Sequence, residues 1–383
     1  MTQRPDSQDW WVYQGVGTPH DGIRRLPPAP PWRAFRYGGA DPGSLPEPPS
    51  QPDRDTVRRH LGRTGQGAAY QAADKEIHLV NLALHLRRPL LLTGKPGTGK
   101  STLAYAVAHE LKLGPVLRWA VTSRSTLKDG LYEYDAVGRL YDAGLRNAGA
   151  LAGRDAPVPE PPDIGKYLWL GPLGTALLPW ARPRVLLIDE IDKGDMDFPN
   201  DLLNVFEEGE FVIPELARLG PGGQTVKTAD RRLAEVDGGE VACAEFPLVV
   251  LTSNEEREFP MAFLRRCIRL EIGAADVDRL AGIVAAHLGR LEDPGEAGEA
   301  EGPGGQGDPG GSGRSGRSGS DASGRAATRA RLISEFLTRQ RELGPLANDQ
   351  LLNALLMAER GLGDGEVGQS LVRDHLMRPL DQG

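Results

Sequence analysis

Only two cysteines occur in the 383 residues, Cys243 and Cys267, with no CxxC pair and no histidine at ligand spacing. That argues against a disulfide framework or a zinc site, and it suits a reducing compartment. Positive charge is also scarce: 45 Lys and Arg stand against 53 Asp and Glu, for a net charge of −8. Nucleic acid and anionic membrane are therefore poor matches for the main partner. The opening MTQRPDSQDWWVYQG has no apolar leader core. No apolar run reaches the roughly 18 residues a membrane helix needs. The seven histidines show neither metal nor triad spacing. A cytoplasmic protein with no membrane role is expected.

What is abundant is glycine (49) and proline (31), while hydrophobic residues make up 39%. Some of the length therefore goes to irregular connections. Residues 1–66, with LPPAPPWRAF and GSLPEPPSQPD, have proline-rich, aperiodic composition and are expected to form a mostly disordered arm. The arm nevertheless holds Trp10, Trp11, Tyr13, Trp32, Phe35 and Tyr37. Either these rings lie loosely on the surface, or they anchor the arm on a neighbour or partner. Residues 292–325, rich in Gly and Ser, read as a disordered linker.

Between these stretches the pattern is α/β. An amphipathic helix over about 68–88 places Ile77, Val80, Leu84 and His85 on one face. Five apolar runs follow: PLLLTG, VLRWAVT (116–122), RVLLIDE (184–190), PLVVLTSN (247–254) and IRLEI (268–272). They are too apolar on both faces for surface strands and predict a five-stranded parallel sheet between helices. The core spans 67–273, with an insert at about 123–170. A helix over 274–291 and three helical patterns over 326–380 predict a small all-helical module.

Gly94-Lys95-Pro96-Gly97-Thr98-Gly99-Lys100-Ser101, followed by Thr102, fits G-x-x-x-x-G-K-[ST] in full, with a buried strand before it and a helix after it. Glycines let backbone N–H groups turn toward phosphate oxygens, and the helix N-terminus adds positive potential. Lys100 is expected to span the β- and γ-phosphates of ATP, and the Ser101 hydroxyl to ligate Mg2+. Asp189 ends an apolar strand, where it would hold the metal through water. Glu190 beside it would orient and deprotonate the attacking water. Asn254, at the end of another strand, either caps that strand as a turn former or, as its position and order favour, reaches the γ-phosphate or the water. Arg265 and Arg266 would be solvated charges in a monomer, whereas in a ring they would face a neighbouring subunit's ATP as an arginine finger.

The order GKPGTGKS, VLLIDEIDK, LTSN and FLRRC, with a helical segment after it, resembles an AAA+ ATPase. Within that group the chain is similar to the MoxR family, through GPLGTALLPWARPRVLLIDEIDKGDMDFPNDLLNVFEEGEFVI and FPLVVLTSNEEREFPMAFLRRCIRLEI. The resemblance implies a P-loop AAA+ core with a helical lid and an insert in the helix after the second strand. Its Walker A residues would be Lys100 and Ser101, its Walker B residues Asp189 and Glu190, and its sensor 1 Asn254. Arg265 or Arg266 would be its finger, with Arg266 preferred. It further implies a hexameric ring, a chaperone-like activity and a partner bearing a von Willebrand factor A (vWA) domain. SRSTLKDGLYEYDAVGRL is like the variant found in bacterial conflict systems.

The lid departs from the family at Asp349, where an arginine that senses the γ-phosphate is usual; Arg373 or Arg378 would have to replace it. This motivates a second reading, an ATP-gated scaffold with little hydrolysis. A third, GTP-specific reading rests on Asp192-Lys193-Gly194-Asp195, a faint echo of the guanine-reading N-K-x-D. The insert's Tyr132, Tyr134, Tyr167 and Trp169 are either ordinary packing or a grip on substrate at a ring's pore.

Overall fold

A computed structural model describes residues 9–38, 41–50, 70–152, 163–273, 280, 328, 330–340, 346 and 348–359. Two compact units divide the chain. One comprises Met1–Gly94 with Lys100–Glu271, and the other Lys95–Gly99 with Ile272–Gly383.

The first unit is built on the five predicted strands. These are β1 (Leu90–Thr93), β2 (Leu117–Ala120), β5 (Val185–Asp189), β10 (Leu248–Ser253) and β11 (Ile268–Glu271). They form one parallel sheet in the order β11-β1-β10-β5-β2, flanked by helices. β5 and β10 are buried at every position, as two-sided cover demands. The edge strands differ from expectation. β2 alternates buried and exposed residues and β11 is half exposed, because an edge strand is covered less completely than a central one.

The helix before β1 runs Asp74–Leu86, shorter than the pattern suggested. Ile77, Val80 and Leu84 are buried as expected. His85 is only half-buried, however, and the fully buried polar residue of that helix is Asn81. Both are explained by the arm. Asn81 Oδ1 accepts from the backbone N–H groups of Val12 (2.7 Å) and Tyr13 (2.9 Å), and its amide donates to the Tyr13 carbonyl. His85 Nε2 lies 3.0 Å from the Trp10 carbonyl.

A mostly disordered arm therefore does not describe residues 9–38 and 41–50, which pack on the chain's own core. Trp11, Val12, Tyr13, Ile23 and Phe35 are buried, whereas Trp32 is exposed. Arg33 donates to the carbonyls of Arg87 (2.7 Å) and Phe206 (2.8 Å) and lies over the Phe35 and Phe246 rings. Proline-rich backbone supplies few donors of its own. The core satisfies the arm's polar groups instead, for example Ala181 N–H on the Pro46 carbonyl (2.9 Å).

Between β2 and β5 the short helices Leu127–Leu131 and Pro172–Ala176 bracket an insertion. It contains β3 (Tyr132–Tyr134), the helix Ala136–Ala152 and β4 (Leu168–Leu170). Two later hairpin strands, β7 (Gly223–Lys227) and β8 (Leu233–Asp237), complete a second sheet in the order β3-β4-β7-β8. Gly165 lets the insertion close on β7, since a Cβ there would come 2.1 Å from the Thr225 carbonyl oxygen. A further pair, β6 (Glu210–Val212) with β9 (Glu240–Ala242), was not foreseen from the sequence.

Three of the insertion's aromatics pack against the protein. Tyr132 and Tyr167 are buried, and Trp169 lies under the Lys227 ammonium at 4.8 Å. The helix Ala136–Ala152 instead turns Arg139 and Asp142 toward the hydroxyls of Tyr134 and Tyr167, at 3.0 and 2.7 Å. Its apolar residues Val137, Leu140, Tyr141 and Leu145 face solvent.

In the second unit Leu280, Leu332, Ile333, Phe336, Leu346, Leu351, Ala354 and Leu355 form a small core on helical segments, including Asn348–Glu359. Most of the expected 274–291 helix and the 292–325 linker lie outside the described residues. So do the last helical pattern, Arg373 and Arg378. Among the described residues no helix is long and apolar enough to cross a membrane.

Candidate functional site

Strand order brings together what the sequence keeps apart. β10 lies between β1 and β5, with Thr93 opposite Ser253 and Leu251 opposite Ile188. The chain leaves all three strands at the same, C-terminal edge of the sheet, where ligands of open α/β sheets bind. Asn254, just past β10, thus lies between the start of the phosphate loop and the acidic end of β5.

The loop after β1 takes conformations that glycine permits: φ is 140° at Gly94, 77° at Gly97 and 89° at Gly99. Within it the Thr98 hydroxyl donates to the Lys95 carbonyl at 3.0 Å. The helix Lys100–Glu110 begins directly after it, so its first N–H groups have no intrahelical partner and form an anion-attracting end. Lys100 is buried, and its Nζ donates to the Gly94 carbonyl (2.6 Å) and to Asn254 Oδ1 (2.9 Å). Burial pulls the Lys100 ammonium below its usual pKa, opposed by Asp192 and Asp189.

Asp189 is the densest point of the site. Its Oδ1 accepts from the hydroxyls of Ser101 (2.7 Å) and Thr252 (2.8 Å), and its Oδ2 from Arg118 Nη2 (2.6 Å) and Nε (3.0 Å). Burial alone would raise its pKa. The hydrogen bonds from Arg118, Ser101 and Thr252 outweigh that and hold the carboxyl below its ordinary value. Glu190, next along, is left-handed at φ 60° and ψ 51°, a conformation costly for a residue with a Cβ. Its N–H donates to the Thr252 hydroxyl at 2.9 Å, which turns the side chain outward to Lys193 at 2.7 Å.

Asp192 was not singled out for this site by the sequence. It is buried, and its Oδ2 accepts from Ser253 Oγ (3.0 Å), Asn254 N (2.8 Å) and Glu256 N (3.2 Å). It therefore fixes the turn that presents Asn254. Arg118 and Thr252 were likewise passed over. A lone cation in the apolar run VLRWAVT was the signal available for Arg118.

Arg265 and Arg266 follow the helix Met261–Leu264, away from this cluster in the sequence. Arg266 is paired with Glu207 of the same chain and also donates to the Ala262 carbonyl at 3.2 Å. Arg265 is exposed. The donor set suits a small hard cation bound with phosphates: a hydroxyl and a carboxylate oxygen at the mouth of an anion-attracting helix end.

Residues 89–267 match the family model described as AAA domain (dynein-related subfamily). No curated protein matches the chain. On a five-stranded parallel sheet with a complete phosphate loop, this match gives residues 89–267 the character of an AAA+ ATPase domain.

Proposed function

We propose that the protein is a MoxR-like remodeller that hydrolyses Mg-ATP at the subunit interfaces of a ring and so alters or activates a protein partner. The observation that carries this reading is the Lys100–Asn254–Asp192 chain of contacts running alongside Asp189 and Glu190. These contacts gather Lys100, Asn254 and the two carboxylates at one sheet edge, which supports reading them as a phosphate-binding cation, a polar sensor and the metal and water groups.

Lys95 to Thr102 would hold the phosphates of ATP, and Ser101 and Asp189 the Mg2+, which neutralises charge on them. Glu190, turned outward by its backbone, would accept the proton as water forms its bond to the γ-phosphorus and the bond to the ADP oxygen breaks. Arg265 or Arg266 would supply positive charge to a neighbour's site. Since Arg266 already has Glu207, Arg265 is the more available of the two.

The exposed apolar side of the helix Ala136–Ala152 supports a protein partner over nucleic acid, as does the acidic balance. A vWA-domain protein of a bacterial defence complex and a hexameric ring complete the proposal. The second reading is an ATP-gated scaffold that turns over slowly. Two features favour it: Asp349 stands where the family's lid arginine is usual, and Arg118 occupies Asp189.

The test is steady-state ATP turnover of the wild type beside Glu190→Gln, with mass photometry in the presence and absence of ATP. We expect turnover to fall about a thousandfold in the variant and rings to form only with ATP. Equal ATP binding by both proteins with no turnover by either would favour the scaffold.

A further inference from the structure

The Asp189 carboxylate is full. A carboxylate offers about four lone-pair sites, and Asp189 receives four hydrogen bonds: one from Ser101, one from Thr252 and two from Arg118. A water carried by a divalent cation can donate to it only if one of these donors withdraws.

The three side chains differ in how easily they can leave. Thr252 lies in central, fully buried β10, and its hydroxyl is also committed to the Glu190 N–H. Ser101 sits in the first turn of a helix, on a side chain with a single heavy-atom torsion. Arg118 stands on the edge strand β2, its side chain is 35% exposed, and it reaches Asp189 through a long flexible stem. β2 aligns Ala120 with Asp189, and Arg118, two residues earlier, projects from the same face of the strand.

We propose that Arg118 is a positioning residue: it holds Asp189 as an internal cation and gives way when a metal-bearing nucleotide enters. It thereby sets how much divalent cation the protein needs to bind nucleotide. The inference rests on the ATPase reading and adds a regulator of its metal dependence. Until the exchange, the arginine keeps a buried carboxylate paired, which an isolated buried charge requires. Afterwards the guanidinium is free to turn to solvent.

The experiment follows binding of a fluorescent non-hydrolysable ATP analogue to the full chain while Mg2+ is titrated in from EDTA. Wild type, Arg118→Met and Arg118→Lys are compared. In Arg118→Met the half-saturating Mg2+ concentration should fall roughly tenfold, the worth of one partly exposed charged hydrogen-bond pair. Arg118→Lys, with a point charge in place of the fork, should lie between. Nucleotide affinity in EDTA should stay within about twofold of wild type, because the arginine is not assigned to the nucleotide.

An unchanged Mg2+ midpoint in folded Arg118→Met overturns the proposal. So does an equal loss of affinity with and without Mg2+, which would mean that the arginine touches the nucleotide. Should Arg118→Met fail to fold, the Arg118→Lys midpoint decides: a fall supports the exchange, and no change overturns it. Failure of the wild type to bind the analogue at any Mg2+ concentration overturns the nucleotide reading itself, and this inference with it.

Discussion

The helix Lys100–Glu110 carries a buried or half-buried charged cluster at each end, and the two are built from different donors. At its C-terminal end Glu110 is fully buried. It accepts from the backbone N–H groups of Gln14 (2.7 Å), Gly15 (3.0 Å) and Gly17 (2.9 Å), and His20 Nε2 lies 3.1 Å away. A carboxylate at a helix C-terminus opposes the helix dipole, so these donors also offset an unfavourable placement. About 15 Å away at the other end, Ser101 joins Arg118 and Thr252 on Asp189. Every donor there is a side chain. Backbone donors cannot leave without moving the chain, whereas side chains can swing. One end is made to hold the arm down, and the other to exchange its partners.

Three substitutions or probes would break or sharpen this contrast. The largest effect should come from Asp189→Asn, which keeps the shape but removes the charge. ATP turnover should fall about a thousandfold while the thermal unfolding midpoint moves little, as a turnover assay beside a melting curve would show. A large drop in stability would instead make Asp189 as structural as Glu110.

Next is Glu110→Ala, which leaves three backbone N–H groups without their acceptor. Denaturant unfolding should report a loss of about 3 kcal/mol, with faster proteolysis within residues 9–38 and nucleotide affinity unchanged. If affinity fell as well, the two ends would be coupled through the helix.

The smallest effect concerns buried acids with little compensation. Burial pushes the thiols of Cys243 and Cys267 up to about 12, the opposite direction to Asp189 with its four donors. At pH 8 only about one thiol in ten thousand is then ionised. A thiol reagent should leave both unmodified in the native protein and label two per chain once it is unfolded.

The same physics explains what could be read from the residues alone. Strands β1, β10 and β5 were visible because central strands of a parallel sheet are apolar on both faces. The phosphate loop was visible because backbone conformation there demands glycine at fixed spacing. The arm was misjudged because proline content speaks to the donors a segment lacks, not to those that Asn81, Glu110 and Arg33 bring to it. His85 was placed on the buried face of its helix by periodicity, but Asn81 occupies that face, as an anchor for backbone. The insertion's helix has apolar periodicity like any core helix, yet it turns Arg139 and Asp142 to two tyrosine hydroxyls and leaves Val137, Leu140, Tyr141 and Leu145 exposed. Hydrophobic pattern gives the period of a helix and not the direction in which it faces.

The sequence by itself determined the chemistry of this protein: a glycine-shaped phosphate loop, strand-end carboxylates and an apolar parallel sheet, all set by local spacing. Tertiary structure alone decided which groups meet. Only the order β11-β1-β10-β5-β2 places Asn254 beside Lys100 and brings Arg118 from the edge strand onto Asp189. Contacts between distant residues depend on strand order and register, which local composition does not encode.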